Sequence, residues 1–438
     1  MDDTLALLRA GRLAGTQRLD LSCGLTAFPR EIFDLADSLE VLNLSGNALA
    51  ELPDDLPRLH RLRVIFCSDN VFTRLPEVLG RCEALEMVGF KSNRIAEVPA
   101  EALPPRLRWL ILTDNRIETL PAALGACTRL QKLMLAGNRL HDLPDAMAAC
   151  RALELVRLSA NALDALPDWL LALPRLAWLA FAGNPFGEAA ERSASDAQAV
   201  PRIDWHALSL GDKLGEGASG VIHRGMLDGT RPVAIKLFKG AVTSDGWPHS
   251  EMAACIAAGA HPDLIPLVGR IVGHPQGTEG LVMTLVDPAF RNLAGPPSLA
   301  SCTRDVYADG AQWSPAVALR IAGGIAGAMA HLHANGVAHN DLYAHNILWH
   351  AQGEALLGDF GAAALLGGLS DAQAGAVQRL EVRAFGCLLE ELLARCDAPV
   401  HSAAALQALV DACLQPDVPS RPDFAAIGAA LHALTDTP

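Results

Sequence analysis

Two carboxylates and an amide stand at a spacing that could do phosphate chemistry. Asp341 is followed by Asn346 and, thirteen residues further on, by Asp359, within Ala338-His339-Asn340-Asp341-Leu342-Tyr343-Ala344-His345-Asn346-Ile347-Leu348 and Asp359-Phe360-Gly361. Both stretches border apolar runs, which places the three groups on loops. One carboxylate can accept or orient the proton of an attacking hydroxyl. A carboxylate with an amide oxygen can hold Mg²⁺ on phosphates. The plain alternative is a turn-rich segment with ordinary acids.

The elements that must position these groups are legible on either side. Leu214-Gly215-Glu216-Gly217-Ala218-Ser219-Gly220-Val221-Ile222 is a glycine-rich loop. Its G-x-G-x-x-G spacing alone also fits a dinucleotide fold, but there a helix follows the third glycine. Here strand-like Val221 and Ile222 follow, as in a β-hairpin. Val233-Ala234-Ile235-Lys236 alternates as a strand does. Glu251 lies fifteen residues beyond Lys236, in a helix expected over Ser250–Gly259, with Asp245 the other acid nearby. Leu281-Val282-Met283-Thr284 reads as a further strand, in which Met283 fits equally well as a core methionine. Between Trp313 and His333, Val317, Ile321, Ile325, Met329 and Leu332 recur at helical spacing, so a helix leads into the Asp341 loop.

Taken in order, these segments resemble the protein kinase family: G-x-G-x-x-G, V-A-I-K, H-x-D-x-x-x-x-N and D-F-G. Leu380-Glu381-Val382-Arg383-Ala384-Phe385-Gly386 is similar to the family's central helix motif, with Glu381 for the usual Asp. Ser420-Arg421-Pro422-Asp423-Phe424 is similar to its late R-P-x-F. The resemblance spans about residues 208 to 433. It implies ATP and Mg²⁺ as cofactors, Asp341 as base, Lys236 on the phosphates set by Glu251, and Asn346 and Asp359 on the metal. The nucleotide would meet Leu214, Gly215, Glu216, Gly217, Ala218, Ser219, Gly220, Val221, Ile222, Ala234, Lys236, Met283 as gatekeeper and Leu348. Three departures stand out. Asn340 replaces the Arg that usually precedes the catalytic Asp, and Tyr343 replaces a usual Lys. Only nineteen residues, without A-P-E, separate Gly361 from Glu381, which leaves Arg421 without its usual Glu.

The first half repeats itself as L-x-x-L-x-L-x-x-N-x-L-x-x-L-P. Its asparagines are Asn47, Asn70, Asn93, Asn115, Asn138, Asn161 and Asn184, at intervals of 22 or 23, with prolines in register from Pro53 to Pro167. Leu42 and Leu44 would share the buried face of a short strand, and each Asn would bond the backbone of the following turn. This resembles the leucine-rich repeat. Gly24 stands at the ladder position of a degenerate first unit, as suits a cap. The outward positions, Val41, Val64, Met87, Trp109, Lys132, Leu155 and Trp178, then Asn43, Phe66, Gly89, Ile111, Met134, Arg157 and Ala180, would line a concave face. Mostly apolar side chains there point to a protein partner, unless they pack on one another.

The expected architecture is an α/β leucine-rich repeat solenoid followed by an α+β bilobal protein kinase-like domain. Repeats would occupy 1–186 (cap 1–38), a linker 187–205 and the kinase-like domain 206–438. The 438 residues carry a net charge of −14, so the basic face that nucleic acid needs is not expected. Ten cysteines stand singly, no apolar run reaches the ~18 residues of a membrane span, and the acidic Met1-Asp2-Asp3 is unlike a secretory start. The expectation is a cytoplasmic kinase acting on a protein substrate, at serine or threonine rather than tyrosine. A nucleotide-binding scaffold without transfer and a small-molecule phosphotransferase stay open.

Overall fold

The computed structural model describes residues 3–196, 200–217, 219–240, 242–243, 245–399 and 403–435. It divides into two units, Met1–Leu173 and Pro174–Pro438. The boundary read from the sequence falls at residue 186, whereas the structure assigns the strand and ladder asparagine of the last repeat to the second unit.

In the first unit, helix α1 (Asp3–Arg9) precedes strands β1 (Arg18–Asp20), β2 (Val41–Asn43), β3 (Val64–Phe66), β4 (Met87–Gly89), β5 (Trp109–Ile111), β6 (Lys132–Met134) and β7 (Leu155–Arg157), and α2 (Asp168–Leu171) closes it. Neighbouring strands pair in parallel, so Val41, Val64, Met87, Trp109, Lys132 and Leu155 form one row. The intervening Leu42, Ile65, Val88, Leu110, Leu133 and Val156 are buried. Prolines 76, 99, 121 and 144 start the return turns, where their fixed φ suits the entry to a 3₁₀ helix.

The asparagine ladder ties repeats together rather than only closing its own turn. Asn115 Nδ2 donates to Leu112 O in its own turn (3.0 Å) and to Phe90 O of the repeat before (2.9 Å), while its Oδ1 accepts from Ile95 N (3.0 Å). Asn161 repeats the pattern with Leu158, Leu135 and Leu140. A buried backbone group left unpaired costs about 1–3 kcal/mol, so each Asn settles a debt no apolar residue could. The residue before each asparagine turns into left-handed backbone: Gly46, Asp69, Ser92, Asp114, Gly137, Ala160 and Gly183 all have positive φ. Glycine takes that conformation freely and Asp tolerates it, whereas Ala160 holds it against its Cβ.

The concave row is less open than its sequence suggests. Val64 and Met87 are buried. The Phe66 ring lies over Gly89, where an added Cβ would come within 2.5 Å of it. Phe66 meets Trp109 edge-on at 6.4 Å, and Lys132 Nζ sits 4.3 Å above the Trp109 ring. Parallel strands place same-row side chains roughly 4.8 Å apart, close enough to pack on one another.

The second unit opens with β8 (Trp178–Ala180) and helix α3 (Glu188–Asp196). Strands β9 (Arg202–Asp204), β10 (Leu208–Glu216), β11 (Gly220–Leu227), β12 (Arg231–Phe238), β13 (Leu267–Val272) and β14 (Gly280–Thr284), with helix α4 (Pro248–Ala258) between β12 and β13, build a sheet of order β10-β11-β12-β14-β13-β9. Its ladders are antiparallel except β13–β9. Val233, Ile235, Ile271 and Val282 fill one face, and Phe238 and Leu281 meet Met252 and Ile256 of α4 on the other.

Strand β15 (Arg291–Asn292), helix α5 (Pro315–Ala334), strands β16 (Val337–Ala338), β17 (Ile347–Trp349), β18 (Ala355–Leu357) and β19 (Ala364–Leu365), then helices α6 (Asp371–Leu393), α7 (Ala403–Cys413) and α8 (Phe424–Thr435), complete it. Ser314 caps α5, accepting from Val317 N, with Pro315 at its first position. By length and composition α5 is apolar enough to cross a membrane, which the sequence reading did not anticipate. Ile321, Ile325, Met329 and Leu332 are buried in this unit.

Candidate active site

The Asp341 loop joins β16 to β17, and the short β16–β19 ladder (Val337 opposite Leu365, Ala338 opposite Ala364) brings Asp359-Phe360-Gly361 beside it. His339 ties the two segments: Nε2 meets Gly358 O at 2.9 Å and Nδ1 meets Asp341 N at 3.3 Å. Since the Asp341 amide can only donate, Nδ1 is the accepting nitrogen and Nε2 carries the proton. Phe360 is buried, its ring 5.1 Å from that of His339.

Asn346 Nδ2 donates to both Asp341 O (2.9 Å) and Asp341 Oδ2 (2.8 Å). The amide nitrogen is thus committed to the loop, and the amide oxygen is the group that can meet a cation. Asp359 has φ +53° and accepts from Gly361 N at 3.1 Å. Gly361 itself has no room to spare: a Cβ there would lie 3.2 Å from Asp359 Oδ1.

Lys236 and Glu251 form a buried ion pair from β12 to α4. Burial disfavours the Lys236 ammonium, but the carboxylates of Glu251 and Asp359 more than offset it and hold its pKa above the ordinary value. Lys236, Glu251, Asp359 and Gly361 line one cavity of about 200 Å³ with Gly217, Ser219, Gly220, Ile222 and Met283. The glycines of the loop differ in what they do. A Cβ on Gly220 would lie 2.6 Å from Leu237 O, so that glycine serves the hairpin. On Gly215 or Gly217 a Cβ would meet nothing within 4 Å, so their bareness leaves backbone open to a ligand.

Other residues expected around a nucleotide are not among those that line this cavity. Leu214 is exposed. Glu216 is held by Lys213 and by Lys239 Nζ (2.6 Å). Gly215, Val221, Ala234 and Leu348 do not line the cavity, and Ala218 lies outside the described residues. The cavity runs instead behind Met283 toward Ala258, Leu264 and Ile265. Among the described residues no group of three His, Cys, Asp or Glu side chains could hold a metal by itself. Asp359 and the Asn346 oxygen are hard donors that fit Mg²⁺ when phosphates and water supply the rest of its shell.

Two sequence departures have structural explanations. Asn340, at φ +62° and buried, gives its backbone N–H to Glu381 Oε1 (2.6 Å) and its side-chain N–H to Ala362 O (3.3 Å). The other oxygen of Glu381 meets His333 Nε2 at 2.7 Å. An uncharged residue thus links loop, segment and helix α6 directly. Ser370, the one hydroxyl between Ala362 and Leu380, caps α6 in a reciprocal box with Gln373. Ser370→Ala is expected to cost about 1 kcal/mol of stability. Its turnover should stay within about twofold of wild type, ~0.4 kcal/mol in barrier. A tenfold fall in turnover rescued by Ser370→Asp but not by Ser370→Asn, an equally good cap without the charge, would reveal a phosphate switch.

Sequence reading missed Asp305. Its carboxylate accepts from His345 N (3.0 Å) and bonds His345 Nδ1 (2.7 Å) next to Asn346. It lies in a loop with no periodicity, so no local signal marks it.

Fold and site together define a protein kinase-type domain behind a repeat array. Residues 208–385 match the family model for protein tyrosine and serine/threonine kinase. Residues 38–59, 105–163 and 128–186 match leucine-rich repeat models. The leucine-rich repeat receptor-like protein kinase PXC2 of Arabidopsis thaliana is 28% identical over 199 residues, 43% of this chain and 19% of that protein. The probable inactive serine/threonine-protein kinase roco10 of Dictyostelium discoideum is 34% identical over 111 residues, 24% of this chain and 4% of that protein. The solved LRR protein LIC12759 of Leptospira interrogans aligns with TM-score 0.38 and 29% identity over 41% of this chain and 46% of its own. The chain spans less than a fifth of the length of these two curated relatives. It carries N-terminal leucine-rich repeats and a domain of the protein tyrosine and serine/threonine kinase family.

Proposed function

We propose that this protein is a Mg²⁺- and ATP-dependent phosphotransferase acting on serine or threonine hydroxyls of a protein substrate. The observation that carries this reading is the closed Lys236–Glu251 pair in one cavity with Asp359. Lys236, set by Glu251, would meet the α- and β-phosphates, and the open backbone at Gly217 would cover them. Asp359 and the Asn346 oxygen would hold Mg²⁺, which supplies charge neutralisation at the phosphates. Asp341 orients the acceptor hydroxyl and takes its proton, and the Asn346 amide keeps that carboxylate in place. The ten cysteines stand singly in the sequence, in keeping with a reducing compartment, and we place the protein in the cytoplasm.

One observation favours a second reading, a nucleotide-binding scaffold. Helix α6 begins at Asp371, so little chain beyond Gly361 remains to seat a peptide. One experiment separates these readings: the purified chain with labelled ATP, Mg²⁺ and an extract of proteins and metabolites. Labelled phosphoserine or phosphothreonine supports the proposal, and a labelled metabolite means a small-molecule phosphotransferase. Nucleotide binding without any label leaves the scaffold.

The repeats would recruit the substrate or another protein through Phe66, Trp109, Ile111 and Met134, which stay half-exposed on the concave face. Trp109→Ala is expected to weaken that partner by about 1–4 kcal/mol in calorimetry. Phosphorylation of a short free peptide should not change, and equal loss of both activities would sink the recruiting role. Trp178, read from sequence as a second such residue, is buried within the second unit and drops out of this surface.

A further inference from the structure

Only nineteen residues separate Gly361 from Glu381. The strand and turn of the last repeat and helix α3 pack against this part of the second unit. Trp178 of β8 stacks on Tyr343 of the Asp341 loop, centroids 4.3 Å apart and planes 7° from parallel, and its Nε1 donates to Leu342 O at 3.0 Å. Trp178 and Tyr343 are both buried, so the stack is a packed contact and not a surface encounter. Such a stacked pair adds to stability beyond its buried area.

Contacts on either side belong to the same short stretch. Arg421, 1% exposed, gives Nη2 to Pro174 O (2.9 Å), Nη1 to Arg379 O (3.0 Å) and Nε to Gln415 O (2.9 Å). Arg383 Nε donates to Arg175 O at 3.1 Å. Gly368 abuts the turn after the last ladder asparagine so closely that a Cβ would lie 2.2 Å from Phe186 O. Glu191 of α3 accepts from Gly183 N and, at 2.7 Å, from Ser250 Oγ, the residue before Glu251. One stretch of chain therefore touches the Asp341 loop, the segment after Gly361, the R-P-x-F arginine and the helix that carries Glu251.

We propose that Pro174–Asp196 replaces the missing activation-segment platform, with Trp178 as a positioning residue for the Asp341 loop and Glu191 as one for helix α4. The kinase domain is then incomplete if cut at residue 206, and its loop is ordered without a phosphate. The catalytic consequence rests on the phosphotransfer reading; the structural one does not.

The test uses the full chain with Trp178→Ala, Trp178→Phe and Glu191→Ala. It reads hydrogen exchange by peptide, ATP affinity with Mg²⁺, and kcat against KM. In Trp178→Ala, amides from 340 to 347 should exchange at least tenfold faster while the β10–β12 sheet does not. Its kcat should fall at least tenfold with KM for ATP within twofold. Trp178→Phe keeps the stack but loses the bond to Leu342 O and should fall between. Glu191→Ala should loosen residues 248–258 first. If Trp178→Ala does not fold, the other two variants decide. Unchanged loop exchange in the folded variants, or uniform loosening of the whole unit, overturns the proposal. Should the wild type transfer no phosphate, the exchange pattern still decides it, and only the phosphotransfer reading falls.

Discussion

Asp341→Asn is expected to lower phosphoryl transfer by about 10²–10⁴ while leaving ATP affinity within about twofold, because the group does its work only as the hydroxyl attacks. The fold should persist: an amide oxygen at position 341 can still accept from Asn346 Nδ2, which lies 2.8 Å from the native carboxylate. Asp359→Asn should abolish transfer as well, but for a different reason. It removes the one full negative charge assigned to the metal, so Mg²⁺-dependent ATP binding should weaken with it. Titrating ATP with and without Mg²⁺ into both variants separates the roles. Wild-type phosphorylation by Asp341→Asn, or unaltered Mg²⁺ dependence in Asp359→Asn, would show the assignment to be wrong.

The second large effect is on stability. Lys236→Met leaves Glu251 buried without its counter-charge, and breaking a buried pair in this way costs about 3–5 kcal/mol. Lys236→Met with Glu251→Leu should recover most of that loss, since two apolar side chains carry no desolvation penalty, though transfer stays absent. Burial already pushes the Glu251 carboxyl above its ordinary range, so in the single variant it takes up a proton as pH falls. The folded state then binds more protons than the unfolded one, and the deficit should shrink toward acid pH. In urea, the transition to follow is the one that added nucleotide shifts in the wild type. A single variant as stable as the wild type at neutral pH would mean the pair is not desolvated as described.

Much of the site was legible because its signals are local. Lys236 and Glu251 sit on adjoining elements whose patterns, an alternating strand and a short helix, are written within a few residues. Asp341 and Asn346 share one loop, and the β16–β19 ladder that adds Asp359 spans little chain. The lining of the cavity was less legible. A glycine motif names a loop, but whether Leu214 or Val221 faces the cavity depends on how β10 and β11 curl, with register shifts along their pairing.

The sequence by itself determined the repeat array and the order of the kinase motifs. A 22- or 23-residue period and its ladder of asparagines repeat one local solution, and stacking follows from leucines no single repeat can bury. Tertiary structure alone decided which apolar residues of the concave row stay open and what became of the odd residues. Trp178 reads like any other outward position of a repeat, yet its partner Leu342 lies 164 residues away. Arg421 lost its usual acid and found a carbonyl 247 residues distant. Such contacts leave no periodic trace, because each is set by two surfaces that meet only after both have folded.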